Sequence, residues 1–236
     1  FPTRRSSDLA KIMEQQYIDL YKQHHESIKK HSTGVMNDLR DDAFALFEKL
    51  RFPTVALENY KYSDLKAGLS IDYGVNINRI PIPVNPYEVF TCDVPGIHSY
   101  LYFVVNDAFY PVKDIRNNSL PEGVIIGSVN QVAETHPELV KQYFGKLSSK
   151  KEDGLVAFNG AFAQDGFFMY VPKNVVLDKP VQLVNIMRSD VDFMANSHNL
   201  IILEEGAKAQ LLVCDHTVDD VRFLSNRVTE VFVSEN

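Results

Sequence analysis

Apolar residues recur at helical spacing over residues 10–50, where Ile12, Tyr17, Leu20, Tyr21, Ile28, Val35, Leu39, Phe44, Leu46 and Phe47 alternate with charged positions. Ser32-Thr33-Gly34 interrupts the pattern and predicts two helices, the second closed by Phe52-Pro53. No period holds over residues 53–95, and Pro81, Pro83 and Pro86 break anything regular there. A β-type pattern follows. Residues 99–105 and 108–112 are β-branched and aromatic on either side of Asn106-Asp107, which predicts a hairpin. Residues 124–128 predict a further strand, and residues 137–144 a short helix with Pro137 in its first turn. The polar, basic stretch 148–153 is the best internal boundary.

After Gly154 helical periodicity disappears. Short apolar runs at 167–171, 181–187, 200–203, 209–214 and 228–233 follow one another, with no two-residue hairpin turns between them. A doubly wound fold needs crossover helices, and an antiparallel sandwich shows cleaner alternation with Asn-Gly or Asp-Gly turns. Runs whose starts lie roughly 10 to 20 residues apart fit stacked parallel strands, a β-helix, although no strict repeat is present.

Composition adds exclusions. The 236 residues are 45% hydrophobic and 23% charged, ordinary for a globular chain, and the net charge of -7 gives no nucleic-acid footprint. Lys29-Lys30 and Lys150-Lys151 read as solvated surface. Cys92 and Cys214 lie far apart, outside any CxxC spacing, which argues against a zinc ribbon, a ferredoxin-type motif or a disulfide framework. No apolar run reaches the ~20 residues of a membrane span, and no secretory signal is visible, so a cytoplasmic protein is expected. Residues 1–9 lack an initiator Met and read as a non-native leader. The stop directly after Val231-Phe232-Val233 reads as truncation inside an element.

Several motifs then point one way. Phe158-Asn159-Gly160-Ala161-Phe162, Asp165-Gly166 and Tyr170-Val171-Pro172-Lys173-Asn174-Val175 occur in order, followed by Leu177 with Pro180-Val181-Gln182-Leu183. Asn199-Leu200-Ile201-Ile202-Leu203 with Glu205-Gly206-Ala207 comes next. About a hundred residues upstream stands Glu58-Asn59-Tyr60-Lys61-Tyr62-Ser63-Asp64-Leu65. Together they resemble the SufB/SufD family of iron–sulfur cluster assembly proteins, and the upstream motif after two helices favours the SufD side over its SufB paralogue. Departures are Tyr60 where Trp is common, Ser63 for Thr, and His198 before Asn199 where Arg is common. Physically the motifs are structural: Asp165-Gly166 supplies a turn through positive φ, Pro172 ends a strand, and Asn159 caps backbone groups.

The resemblance implies a mixed fold: an N-terminal α+β, largely helical region over residues 10–150, then over 151–236 the first coils of a right-handed parallel β-helix. It implies a non-catalytic scaffold in a hetero-oligomer with a SufB-like paralogue and a SufC-like ABC ATPase, without nucleic acid or membrane. It assigns no cofactor to this segment. The iron–sulfur cluster, with room for a flavin, belongs to the whole complex.

No catalytic, cofactor-binding or metal residue is assigned. His24, His25 and His31 have spacings that miss the i, i+4 of a helical metal pair. Cys214-Asp215-His216 puts a thiol and an imidazole on one face of a strand, a geometry able to hold iron or sulfur. The plainer reading is a small buried thiol and a turn histidine. Neither a nucleophile elbow nor a P-loop is present. The rival function is a β-helix polysaccharide lyase or glycosidase built on Asp190, Asp192 and Arg188.

Overall fold

The computed structural model describes residues 6–90, 98–111 and 115–235. Its helical period resolves into α1 (Ser6–Lys30) and α2 (Gly34–Leu50). They part at the expected place, where Thr33 Oγ1 accepts the N–H of Met36 at 3.3 Å and caps α2. Of the residues read as a leader, 6–9 form the first turn of α1. The described residues of the stretch beyond Pro53 hold a 3-10 turn at Glu58–Tyr60 and the one-turn helices α3 (Lys66–Leu69) and α4 (Pro86–Val89).

The predicted hairpin forms from β1 (Tyr100–Val105) and β2 (Ala108–Phe109), with Val104 opposite Phe109 and Asn106 at φ 57° in the turn. The second strand is shorter than predicted, and residues 112–114 lie outside the described residues. β3 (Ile125–Ser128) leads into α5 (Val129–Thr135), which the sequence reading omitted; Ser128 Oγ caps it by accepting from Gln131 N at 3.3 Å. Next comes α6 (Pro137–Tyr143), as predicted.

Residues 154–162 correct the reading. They form a helix, α7 (Gly154–Phe162), with Asp153 at its N-cap. Gly154, Ala157, Phe158, Asn159, Ala161 and Phe162 are all buried. A short helix enclosed on most sides has no polar face to display the 3.6-residue period. Phe158 meets the rings of Tyr17, Phe47, Phe52 and Phe162 at centroid distances of 5.2, 5.1, 5.2 and 4.5 Å. This aromatic cluster welds α1 and α2 to α7, and burial of each such ring stabilises by about 1.5–3 kcal/mol. Arg40 is wholly enclosed and donates to the carbonyls of Ala161 at 2.6 Å and Ala163 at 2.9 Å, satisfying the C-terminal end of α7. Burial pulls its guanidinium down to about 10, still charged at neutral pH.

The remaining strands are β4 (Phe167–Val171), β5 (Val181–Met187), β6 (Phe193–Leu203), β7 (Leu211–Thr217) and β8 (Phe223–Val233). They build two mixed sheets, ordered β2-β1-β5-β7 and β3-β4-β6-β8. Only the outer pairs β1–β2 and β3–β4 are antiparallel. Both sheets draw strands from either side of residue 150. From β4 to β8 the chain alternates between the sheets with no helix between strands. Val181 lies opposite Leu211, and Phe193 opposite Phe223, so both pairs share a 30-residue offset. β6 and β8 start earlier than their apolar runs at 200 and 228 suggested, because their first halves are polar yet buried or half-buried.

Tyr100, Val104, Phe167, Met169, Val171, Leu183 and Ile201 fill the space between the sheets. The helices cover the other face of β4 and β6, where Met36, Val129, Val140 and Phe144 meet Phe168, Leu200 and Ile202.

Candidate functional site

The upstream motif is fastened to α7. Tyr60 Oη donates to Asp153 Oδ2 at 2.6 Å, while Asp153 Oδ1 accepts from Leu155 N at 2.8 Å and Val156 N at 3.2 Å. Burial, then the Asp153 carboxylate, push the phenol up to about 12. Glu58 and Lys61 form an ion pair, and Tyr62 stands in solvent. Tyr60→Phe is expected to cost about 1 kcal/mol, read as a lower urea midpoint at unchanged m-value.

Asn159 caps backbone as expected, between strands: its Nδ2 donates to the carbonyls of Ser197 at 3.0 Å and Asn226 at 2.9 Å, bridging β6 and β8. Asp165 is a hub. Its buried carboxylate accepts from Ser128 Oγ at 2.7 Å and Asn130 N at 3.2 Å, and burial pushes it above the ordinary carboxylate range. Gly166 departs from the expected reason for a glycine. Its φ is not positive; instead a Cβ there would lie 1.9 Å from the carbonyl oxygen of His198. Close approach, not left-handed backbone, selects glycine.

The most concentrated polar chemistry lies on β6. Asn196, Ser197, His198 and Asn199 are all buried. His198 Nε2 meets Glu230 Oε2 of β8 at 2.9 Å, with side-chain exposures of only 6% and 2%. Glu230 also gathers a turn: Oε2 accepts from Gly145 N at 2.6 Å, and Oε1 from Leu147 N at 2.7 Å and Ser148 N at 2.9 Å. Backbone N–H groups arranged this way form an anion-binding nest, here filled by the protein's own carboxylate. Burial pushes the Glu230 carboxyl up, but His198 and the N–H donors outweigh it and hold it below its ordinary range. The Phe144 ring lies 4.4 Å from the imidazole of His198. Together the pair joins β6, β8 and the turn after α6 beneath α2 and α7. The sequence reading met His198 only as a departure from a family pattern and passed over Glu230. The available signal was polar residues recurring at 30-residue spacing, such as Asn196 and Asn226.

The other sequence candidates stay apart. His24 is exposed, while His25 pairs with Glu26 at 2.9 Å. Cys214 and His216 share the outer face of β7, as expected from their spacing. Cys214 packs beside Val184 and Ile186, 3.8 Å from Gln182 Nε2, and His216 Nε2 is enclosed without a hydrogen-bond partner. Cys92 lies outside the described residues. Asp190 pairs with Arg188 at 2.8 Å, whereas Asp192 pairs with Arg222, so the two carboxylates of the lyase reading are each neutralised by an arginine. Among the described residues, no group of three or more His, Cys, Asp or Glu is placed to hold a metal ion, and no helix is long and apolar enough to cross a membrane.

Comparison with known proteins reads the same motifs as a family. Residues 11–183 match the model of the SufBD protein N-terminal region. The chain belongs to the SufBD family. An iron–sulfur cluster assembly SufBD family protein of Synechocystis sp. is 32% identical over 117 residues, 49% of this chain and 24% of that protein. The iron–sulfur cluster assembly protein SufD of Bacillus subtilis is 33% identical over 117 residues, 49% of this chain and 26% of the relative. An Arabidopsis thaliana SufBD family protein is 29% identical over 137 residues, 56% of this chain and 29% of the relative. The matched segment therefore spans about a quarter of the length of these SufBD relatives.

Proposed function

We propose that the chain is the SufD-type scaffold subunit of a cytoplasmic iron–sulfur cluster assembly complex and catalyses no reaction by itself. In this reading it pairs with a SufB-like paralogue and a SufC-like ABC ATPase, and the cluster is built by the assembled complex. The observation that carries it is the match of residues 11–183 to the SufBD N-terminal region, supported by relatives named for iron–sulfur cluster assembly. The alternation of β5 to β8 between two sheets at a 30-residue offset supports reading residues 167–233 as the opening coils of a right-handed parallel β-helix. Such a solenoid offers a partner its flat sheets and repeated edges.

The test is co-expression with SufB-like and SufC-like partners, followed by affinity purification. A stable complex whose ATPase activity resides in the SufC-like subunit is expected. A chain that purifies alone in the presence of both partners would overturn the reading.

The edge strands make a separate prediction. Among the described residues β7 and β8 each have one neighbour, and Leu212, Val213, Val231 and Val233 are exposed along them. Unpaired strand edges with apolar side chains associate. The 236-residue chain is expected to elute larger than a monomer, and Val213→Lys with Val231→Lys to shift it toward the monomer.

A further inference from the structure

Between α2, α7 and residues 144–151 lies a cavity of about 310 Å³ with His198 in its wall. That volume is at the lower end of small-molecule sites. Its walls are chiefly apolar: Met36, Leu39 and Leu46 from α2, Val156 from α7, and Phe144. α2 and α7 meet closely beside it, for a Cβ on Gly160 would come within 2.7 Å of Ala43 Cβ, so the two helices are not free to collapse further there. Polar groups, Asp42, Ser148, Ser149 and Lys151, complete the lining.

His198 differs from that lining. It is 5% exposed and fixed twice, by Glu230 at Nε2 and by the ring of Phe144 against its face. An imidazole oriented by a carboxylate presents its other ring nitrogen in a set direction. That nitrogen accepts a hydrogen bond when the ring is neutral and donates one when it is protonated. A hydroxyl group satisfies both states, since it donates and accepts; a carboxylate or an ammonium satisfies one.

We propose that this cavity binds a compact apolar molecule carrying a single hydroxyl group, of which phenol is the simplest, with His198 reading the hydroxyl. The proposal is independent of the scaffold reading, because it concerns a site between α2, α7 and the face of β6 rather than the sheet edges.

The probes are phenol, toluene and benzoate, titrated into the full chain by calorimetry and followed by NMR shifts of the methyl groups lining the cavity. Phenol is expected to bind saturably, at least about tenfold more tightly than toluene, which fills the same space without the hydrogen bond. Benzoate is expected to be weaker than phenol. Leu46→Trp, at a half-buried lining position, fills the cavity and is expected to abolish phenol binding while the unfolding midpoint stays within a few degrees. Equal affinity for phenol and toluene would overturn the role of His198. Absence of saturable phenol binding, or binding that survives Leu46→Trp, would overturn the site.

Discussion

Glu230→Gln is expected to destabilise the fold by roughly 3–5 kcal/mol, because buried donors lose their acceptor at about 1–3 kcal/mol each. The amide cannot replace the carboxylate. Oε1 receives two backbone N–H groups, and Oε2 receives a third together with His198. Whichever way the Gln amide turns, its NH₂ faces donors. For a chain of this length the loss corresponds to a drop of roughly 6–20 °C in Tm, measured by circular dichroism. The effect has a pH signature. Because the Glu230 carboxyl is held below its ordinary value of 4.5, its contribution is complete above that value and lost as pH falls through the depressed one. The gap between wild type and Glu230→Gln should therefore be widest near neutral pH and narrow below pH 4.5. A gap that stayed constant into acid would mean that the carboxylate charge plays no part.

Gly166→Ala is expected to cost upwards of about 3 kcal/mol, at the severe end of overpacking. The new methyl would lie 1.9 Å from His198 O and 2.4 Å from its carbonyl carbon. Both are main-chain atoms of β6, which is paired with β8 along its whole length, so no side chain can swing aside. Gly34→Ala is the internal control. Nothing lies within 4 Å of a Cβ there, and the site is the first residue of α2, so the change should be neutral or stabilise by up to about 1 kcal/mol. Urea midpoints of the two variants, measured side by side, separate close packing from any general penalty on replacing glycine.

What could be read from the sequence followed from where each element puts its polar face. α1 and α2 were legible because one side of each is wet and prints the 3.6-residue period onto the chain. The hairpin around Asn106-Asp107 was legible because its turn chemistry is local. α7 was not, since burial around most of its circumference erased the period, and the run from Phe158 to Phe162 looked like the approach to a strand. The first halves of β6 and β8 were hidden for the opposite reason. Asn196, Ser197, His198 and Asn199 look like loop residues until their partners are known, and those partners include Asn159, Thr229 and Glu230, some 30 to 40 residues away. The His198–Glu230 site was lost with them, because a search by apolar runs begins at Leu200. On β7 the shared face of Cys214 and His216 followed from i, i+2 spacing, but the plainer reading did not hold: His216 lies inside the strand rather than at a turn, and Cys214 is half-buried.

The position of β1 carries a consequence for synthesis. Its parallel partner β5 lies far downstream, with Tyr100 opposite Val181. Until β5 is made, β1 has beside it the two-residue β2 and the side chain of Asn117, bonded to Leu101. At ~5–20 residues per second, the apolar stretch Tyr-Leu-Tyr-Phe-Val-Val waits roughly 4–16 s on the ribosome for its main partner. During that interval it is the natural footing for a chaperone that holds extended, aromatic-rich segments. A synonymous change that slows translation between codons 110 and 180 should lengthen this exposure and lower the yield of native protein, while leaving the stability of the molecules that do fold untouched.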